Sequence, residues 1–99
     1  MSDLLGLLEG CGLHEYKPRH YYSRGGLISG RTKKKPRVIA RKWIGPLLVE
    51  LQKFEGRNSI VVSDESRGYS KKLATATGLD ELEGEDIFEE VCGRLIGYQ

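Results

Sequence analysis

The stretch Arg37-Val-Ile-Ala-Arg-Lys-Trp43-Ile-Gly45-Pro46-Leu-Leu-Val-Glu-Leu-Gln-Lys-Phe54-Glu-Gly56 is the most apolar part of the chain, and the period of its apolar residues decides the fold. Ile39, Trp43, Leu47, Leu51 and Phe54 recur at intervals of three or four, with Ala40, Ile44 and Leu48 beside them. That spacing predicts a helix with one apolar face. Pro46 has no N–H to donate and disfavours helix at the residue before it, so Gly45-Pro46 should kink the segment or start a second helix. Gly56 would end it. On this reading Trp43 lies on the apolar face and belongs to the core.

C-terminal to this stretch, Ile60-Val61-Val62 is a β-branched run that predicts a strand within Asn58–Asp64. Glu65-Ser-Arg-Gly68 reads as a turn, and Tyr69–Thr77 returns as the partner strand. Ile87, Phe88, Val91, Cys92, Leu95 and Ile96 form an apolar stripe at helical spacing. Acids fall before and within its first turn, Glu90 and Arg94 stand at i,i+4, and Gly97 falls at the end, so a C-terminal helix is expected. At the other end Ser2 is a candidate N-cap for a short helix through Leu4, Leu5, Leu7 and Leu8, ended by Gly10 or Gly12. Leu13–Tyr22 contains Pro18 and reads as extended or irregular. The expected fold is therefore α+β: a small single domain over residues 1–99, with helices packed around a short antiparallel β-hairpin and a basic, glycine-rich loop at about 23–36. A helix over Pro46–Phe54 followed by a wing at Ser59–Ala76 resembles a winged-helix order at the level of fold.

Composition narrows the class. With 38% apolar and 30% charged residues in 99, the chain fits one soluble globular domain with a single small core. No run approaches the roughly 20 apolar residues of a membrane span. Two cysteines and no basic, apolar leader predict an intracellular location with reduced thiols, cytoplasmic or nuclear, and Cys92 is expected to be buried.

Charge is segregated far more than the net value of +2 conveys. Ten Lys or Arg and no acid lie between Lys17 and Lys42, and seven acids with no Lys or Arg lie between Asp80 and Glu90. A block of this kind steers polyanions. Arg24, Arg31, Lys33, Lys34, Lys35, Arg37, Arg41 and Lys42 are the candidate phosphate contacts, and Tyr21 and Tyr22 are candidate stacking groups for unpaired bases. The ordinary alternative is a solvated basic face with the tyrosines at the core edge. Arg24-Gly-Gly26 resembles one copy of an RGG element, and Arg31–Arg37 resembles a short nuclear-localisation signal.

Other motifs carry less. Gly25–Thr32 has the spacing of a Walker A loop with Arg31 in place of its lysine, but Tyr21-Tyr22 is a poor preceding strand and Pro36 a poor following helix. Leu73–Leu79 has the spacing of a helix-turn-helix corner, yet the helix after it would present five acids to phosphate. Cys11-x-x-His14 with His20 and Cys92 supplies one tight ligand pair where structural zinc sites show two. No catalytic constellation, cofactor motif or metal site is read from these residues. The sequence thus predicts a non-enzymatic nucleic-acid-binding or accessory protein. The alternative is a protein-interaction module, of inhibitor, adaptor or assembly type as in viral accessory factors, whose basic or acidic surface meets an oppositely charged protein or a second copy of this chain.

Overall fold

The computed structural model describes residues 3–17 and 36–98. Its elements are α1 (Asp3–Gly10), β1 (His14–Glu15), β2 (Arg37–Ile44), β3 (Leu47–Phe54), β4 (Arg57–Asp64), β5 (Lys71–Leu79) and α2 (Glu81–Tyr98). All strands belong to one antiparallel sheet in the order β1-β5-β4-β3-β2. This corrects the expectation of helices around a short hairpin. The chain from 37 to 79 is a four-stranded meander, with one short helix before it and one long helix after it.

The predicted helix over Arg37–Gly56 is instead the hairpin β2–β3. Its turn is Gly45-Pro46, bracketed by the directly paired Ile44 and Leu47. Gly45 takes a φ of 61°, a left-handed value natural to glycine, and proline fixes the next φ near −65°. A glycine first and a φ-restricted residue second suit a two-residue primed turn whose twist matches that of the flanking strands. The next connection repeats the device. Glu55 and Gly56 have φ values of 50° and 79°, and Phe54 pairs with Arg57 across them. Positive φ at both central residues is the signature of the type I′ hairpin turn. The apolar residues fit a period of two as well as a helical one: Leu47, Val49 and Leu51 alternate as the buried face of β3.

The core is one-sided. Leu47, Val49 and Leu51 of β3, Ile60 and Val62 of β4, and Ala74 and Ala76 of β5 form one layer, with Leu8, Val91, Cys92 and Leu95 of the helices packed on it. Helix α2 lies across β3 and β4 and also reaches β2, β5 and α1. Leu8, Val49, Ile60, Val62, Val91 and Leu95 are essentially without solvent contact, and burying each such side chain stabilises the fold by about 1.5–3 kcal/mol. Cys11 and Cys92 are both buried and unpaired, the latter as the sequence led one to expect.

Helix α2 begins with a reciprocal cap. Glu83 N–H donates to Asp80 Oδ1 at 2.8 Å, and Asp80 N–H donates to Glu83 Oε1 at 3.2 Å. Glu81 and Glu83 in the first turn also complement the helix dipole. The pair expected at i,i+4 forms, with Arg94 Nη2 3.0 Å from Glu90 Oε2 as an ion pair. One turn into the helix Gly84 meets β4 at close range. A Cβ placed there would stand 2.7 Å from Asn58 Nδ2 and 2.8 Å from Asn58 Cβ, and Asn58 is itself buried.

This geometry makes stability sensitive at two positions. Gly84→Ala should lower unfolding stability in urea by about 1–3 kcal/mol, since the helix must lift from Asn58; a variant as stable as the parent would overturn the close packing. Glu55→Asn should raise stability by about 0.5–1 kcal/mol, because asparagine tolerates left-handed backbone better than glutamate; a decrease in the same titration would contradict the turn assignment.

Candidate nucleic-acid interface

Residues 37, 41 and 42 of the basic block lie on β2, which is one edge of the sheet. Strand alternation separates them. Lys42 pairs with Val49 and faces the helical layer, where its charge acts on the Cys92 thiol. Arg41 pairs with Glu50 and faces the opposite side. Its Nε donates to Glu50 Oε2 at 3.0 Å, and Gln52 Nε2 donates to Glu50 Oε1 at 2.9 Å. An exposed pair of this sort is worth about 0.2–1 kcal/mol. Its larger consequence is that Glu50 is held by two partners, while the four Nη–H donors of Arg41 are not used in the pair. Arg37 pairs with Lys53, and both line a shallow cleft with Val38, Ile39 and Glu81. Lys53 Nζ is 3.8 Å from Glu81 Oε2.

The face turned away from the helices is uncovered among the described residues. Trp43, Leu48, Glu50, Gln52, Phe54, Ser59 and Val61 alternate with the core residues of β2, β3 and β4 and share this face through the strand register. Val61, paired with Glu50 and Thr75, is 9% exposed and is no part of the core cluster. Trp43 is 55% exposed and Phe54 38% exposed. The expectation of a core Trp43 is therefore overturned. A helical period places residue 43 with Leu47 and Leu51, whereas a strand period places it across from Leu48 on the other side of the sheet.

Arg24, Arg31, Lys33, Lys34, Lys35, Tyr21 and Tyr22 lie outside the described residues, as do the glycine-rich loop, the Walker-like spacing, His20 and the Ser2 cap. The corner-like Leu73–Leu79 is part of β5, as a strand over Tyr69–Thr77 requires. Two residues of the open face stand outside the candidates that charge and aromatic counting select. Phe54 fits the helical stripe as well as it fits a strand, and Arg57 lies beyond the basic block. Arg57 pairs with Phe54 at the end of the open face, and its Nη1 donates to the Gly78 carbonyl at 3.4 Å. The signal for both is the Glu55-Gly56 dipeptide, which reads as a hairpin turn and fixes the register on either side.

The acidic block is displaced from this face. All its residues from Glu81 to Glu90 are on α2, in the layer behind the sheet. Burial pushes the Cys11 and Cys92 thiols above their usual range; nearby glutamates, Glu90 at Cys11 and Glu89 at Cys92, add to this, and Arg94 and Lys42 oppose it. Among the described residues no three His, Cys, Asp or Glu side chains converge as metal ligands, and no helix is long and apolar enough to cross a membrane. Comparisons with protein-family models, with curated proteins and with solved structures find no match for this chain.

Trp43 is the sole tryptophan and reports directly on this face. Its emission in the native protein should be red-shifted and quenched by acrylamide almost as readily as in the unfolded chain. A blue-shifted, shielded emission would contradict an exposed Trp43.

Proposed function

We propose that this chain is a small, non-enzymatic nucleic-acid-binding or accessory protein that holds phosphate backbone with its basic block. The observation that carries the reading is the spatial separation of charge. Arg37, Arg41 and Lys42 all lie on the edge strand β2, with Arg41 on the face turned away from α2 and Arg37 and Lys42 on the face toward it, while the acids of Asp80–Glu90 gather at and along α2. A polyanion approaching the β2 edge meets clustered cations, and repulsion from the acidic helix disfavours the opposite approach. In this reading Arg24, Arg31, Lys33, Lys34 and Lys35 are further phosphate contacts, and Tyr21 and Tyr22 are stacking groups for unpaired bases.

A second reading, a protein-interaction module, uses the segregated charge instead: the cations of β2 would meet an acidic protein surface, or the acids of α2 a basic one. Nuclease treatment separates the two readings: a co-purifying partner that survives it supports the protein module, and one that is removed by it supports nucleic acid.

Anisotropy titrations of a labelled oligonucleotide at two salt concentrations should show binding that weakens steeply with salt. Lys33–Lys35→Ala, and separately Arg41→Ala, should flatten the log–log salt slope by about 0.7–0.9 for each phosphate that is no longer neutralised. Absence of binding at low salt, or affinities indifferent to both sets of substitutions, would sink the proposal.

A further inference from the structure

We infer that the face of the sheet turned away from the helices is a stacking platform for single-stranded nucleic acid, with the exposed Trp43 as its principal base contact and Phe54 as a second. This inference rests on the nucleic-acid reading above and specifies the form of the ligand. Three observations converge on it.

The first is the exposure of Trp43. Tryptophan is highly buried on average, yet here more than half of its surface is open although the same hairpin buries Ile44, Leu47, Val49 and Leu51. An indole exposed on a sheet surface can offer a π-face to an unpaired base, a contact that is tolerant of sequence. Phe54 lies on the same face of β3, six residues beyond the Leu48 that pairs with Trp43, and so roughly 20 Å along the strand. The separation suits an extended strand that touches both rings.

The second is the chemistry between and beside the rings. Arg41 is adjacent to Trp43 on this face and Arg57 is opposite Phe54. The acid between them, Glu50, is already engaged by Arg41 and Gln52. Ser59, paired with Gln52, adds a hydroxyl that can donate to or accept from base edges. Cations flanking aromatics, with the one carboxylate held by its own partners, complement a backbone of phosphates carrying bases.

The third is that, among the described residues, no element suits the major groove of a duplex. The major groove, about 12 Å wide, admits a helix or a two-stranded ribbon. The long helix α2 carries the acidic block, and α1 turns its leucines into the core. A sheet of five strands is too broad to enter the groove, and paired bases present no free face to Trp43.

The test uses the intact chain with oligo(dT) and oligo(U) of about 12 nucleotides and a duplex of equal charge. Single strands should quench Trp43 emission and should bind in preference to the duplex. Trp43→Ala should weaken single-strand binding by about fivefold to a hundredfold by anisotropy, Trp43→Phe should restore much of that affinity, and Phe54→Ala should weaken binding less. Leu82→Ala, which trims a side chain 70% exposed on the acidic helix, should change nothing. Because residue 43 is exposed, Trp43→Ala should keep the parent urea midpoint, so a drop in affinity reads on the base contact and not on folding. The preference between the two oligonucleotides distinguishes DNA from RNA. Salt-sensitive binding with equal affinity for duplex, unchanged Trp43 emission and a silent Trp43→Ala would overturn the platform while leaving the phosphate reading intact. Failure of every polynucleotide to bind at low salt would overturn both.

Discussion

Everything else in this protein depends on α2 closing one face of the sheet. Val91 and Leu95 are sealed against a layer in which Val49, Ile60 and Val62 have no solvent contact, and Gly84 permits the approach by presenting no side chain to Asn58. A meander of four strands with a single apolar face is not independently stable until that face is covered. The helix is held in place at its start by the Asp80–Glu83 cap, directly after β5 ends. Once α2 and α1 occupy one side, strand alternation assigns every remaining side chain of β2–β4 to the other. Which residues can meet a ligand is thus settled by packing on the far side of the sheet.

The elements with a single consistent signal could be read from sequence. The leucines of α1 and the stripe of α2 fit a helix and nothing else, and Ile60-Val61-Val62 fits a strand. The hairpin Arg37–Phe54 could not be read from apolar spacing, because Ile39, Trp43, Leu47, Leu51 and Phe54 satisfy a period near 3.6 while Leu47, Val49 and Leu51 satisfy a period of two. The deciding information was in the dipeptides. Gly45-Pro46 serves as a helix kink or as a two-residue turn, and only the second use agrees with Glu55-Gly56 ten residues later. Two turn signals one strand-length apart mark a meander, and they outweigh a helical stripe that has to pass through a proline.

The same ambiguity hid part of the candidate site. The cations Arg37, Arg41 and Lys42 could be found by counting charge, since the block has no acid in it. The use of Trp43 could not, because its role inverts with the period: helical spacing sends it into the core, and strand spacing sends it out opposite Leu48. Arg41 and Lys42 likewise are neighbours in sequence but stand on opposite faces of the sheet. A linear basic patch is therefore two surfaces in the folded chain, and they are not equivalent.

That inequivalence bears on where a polyanion would lie. On the helical side Lys42 and Lys53 share their surroundings with the acids of α2: Glu81 is 3.8 Å from Lys53, and Lys42 and Glu89 both act on the Cys92 thiol. A phosphate arriving there must compete with carboxylates already in place, and at physiological ionic strength screening over about 8 Å leaves those local charges dominant over anything farther along the chain. On the open side, among the described residues of β2 and β3, the acid between Trp43 and Phe54 is Glu50, and it is held by Arg41 and Gln52. In the proposed reading the acidic helix is therefore more than a solvated face. By occupying one side of the sheet it would direct an anionic ligand to the face that carries Trp43, where aromatic surface and the Arg41 cation share one side of β2.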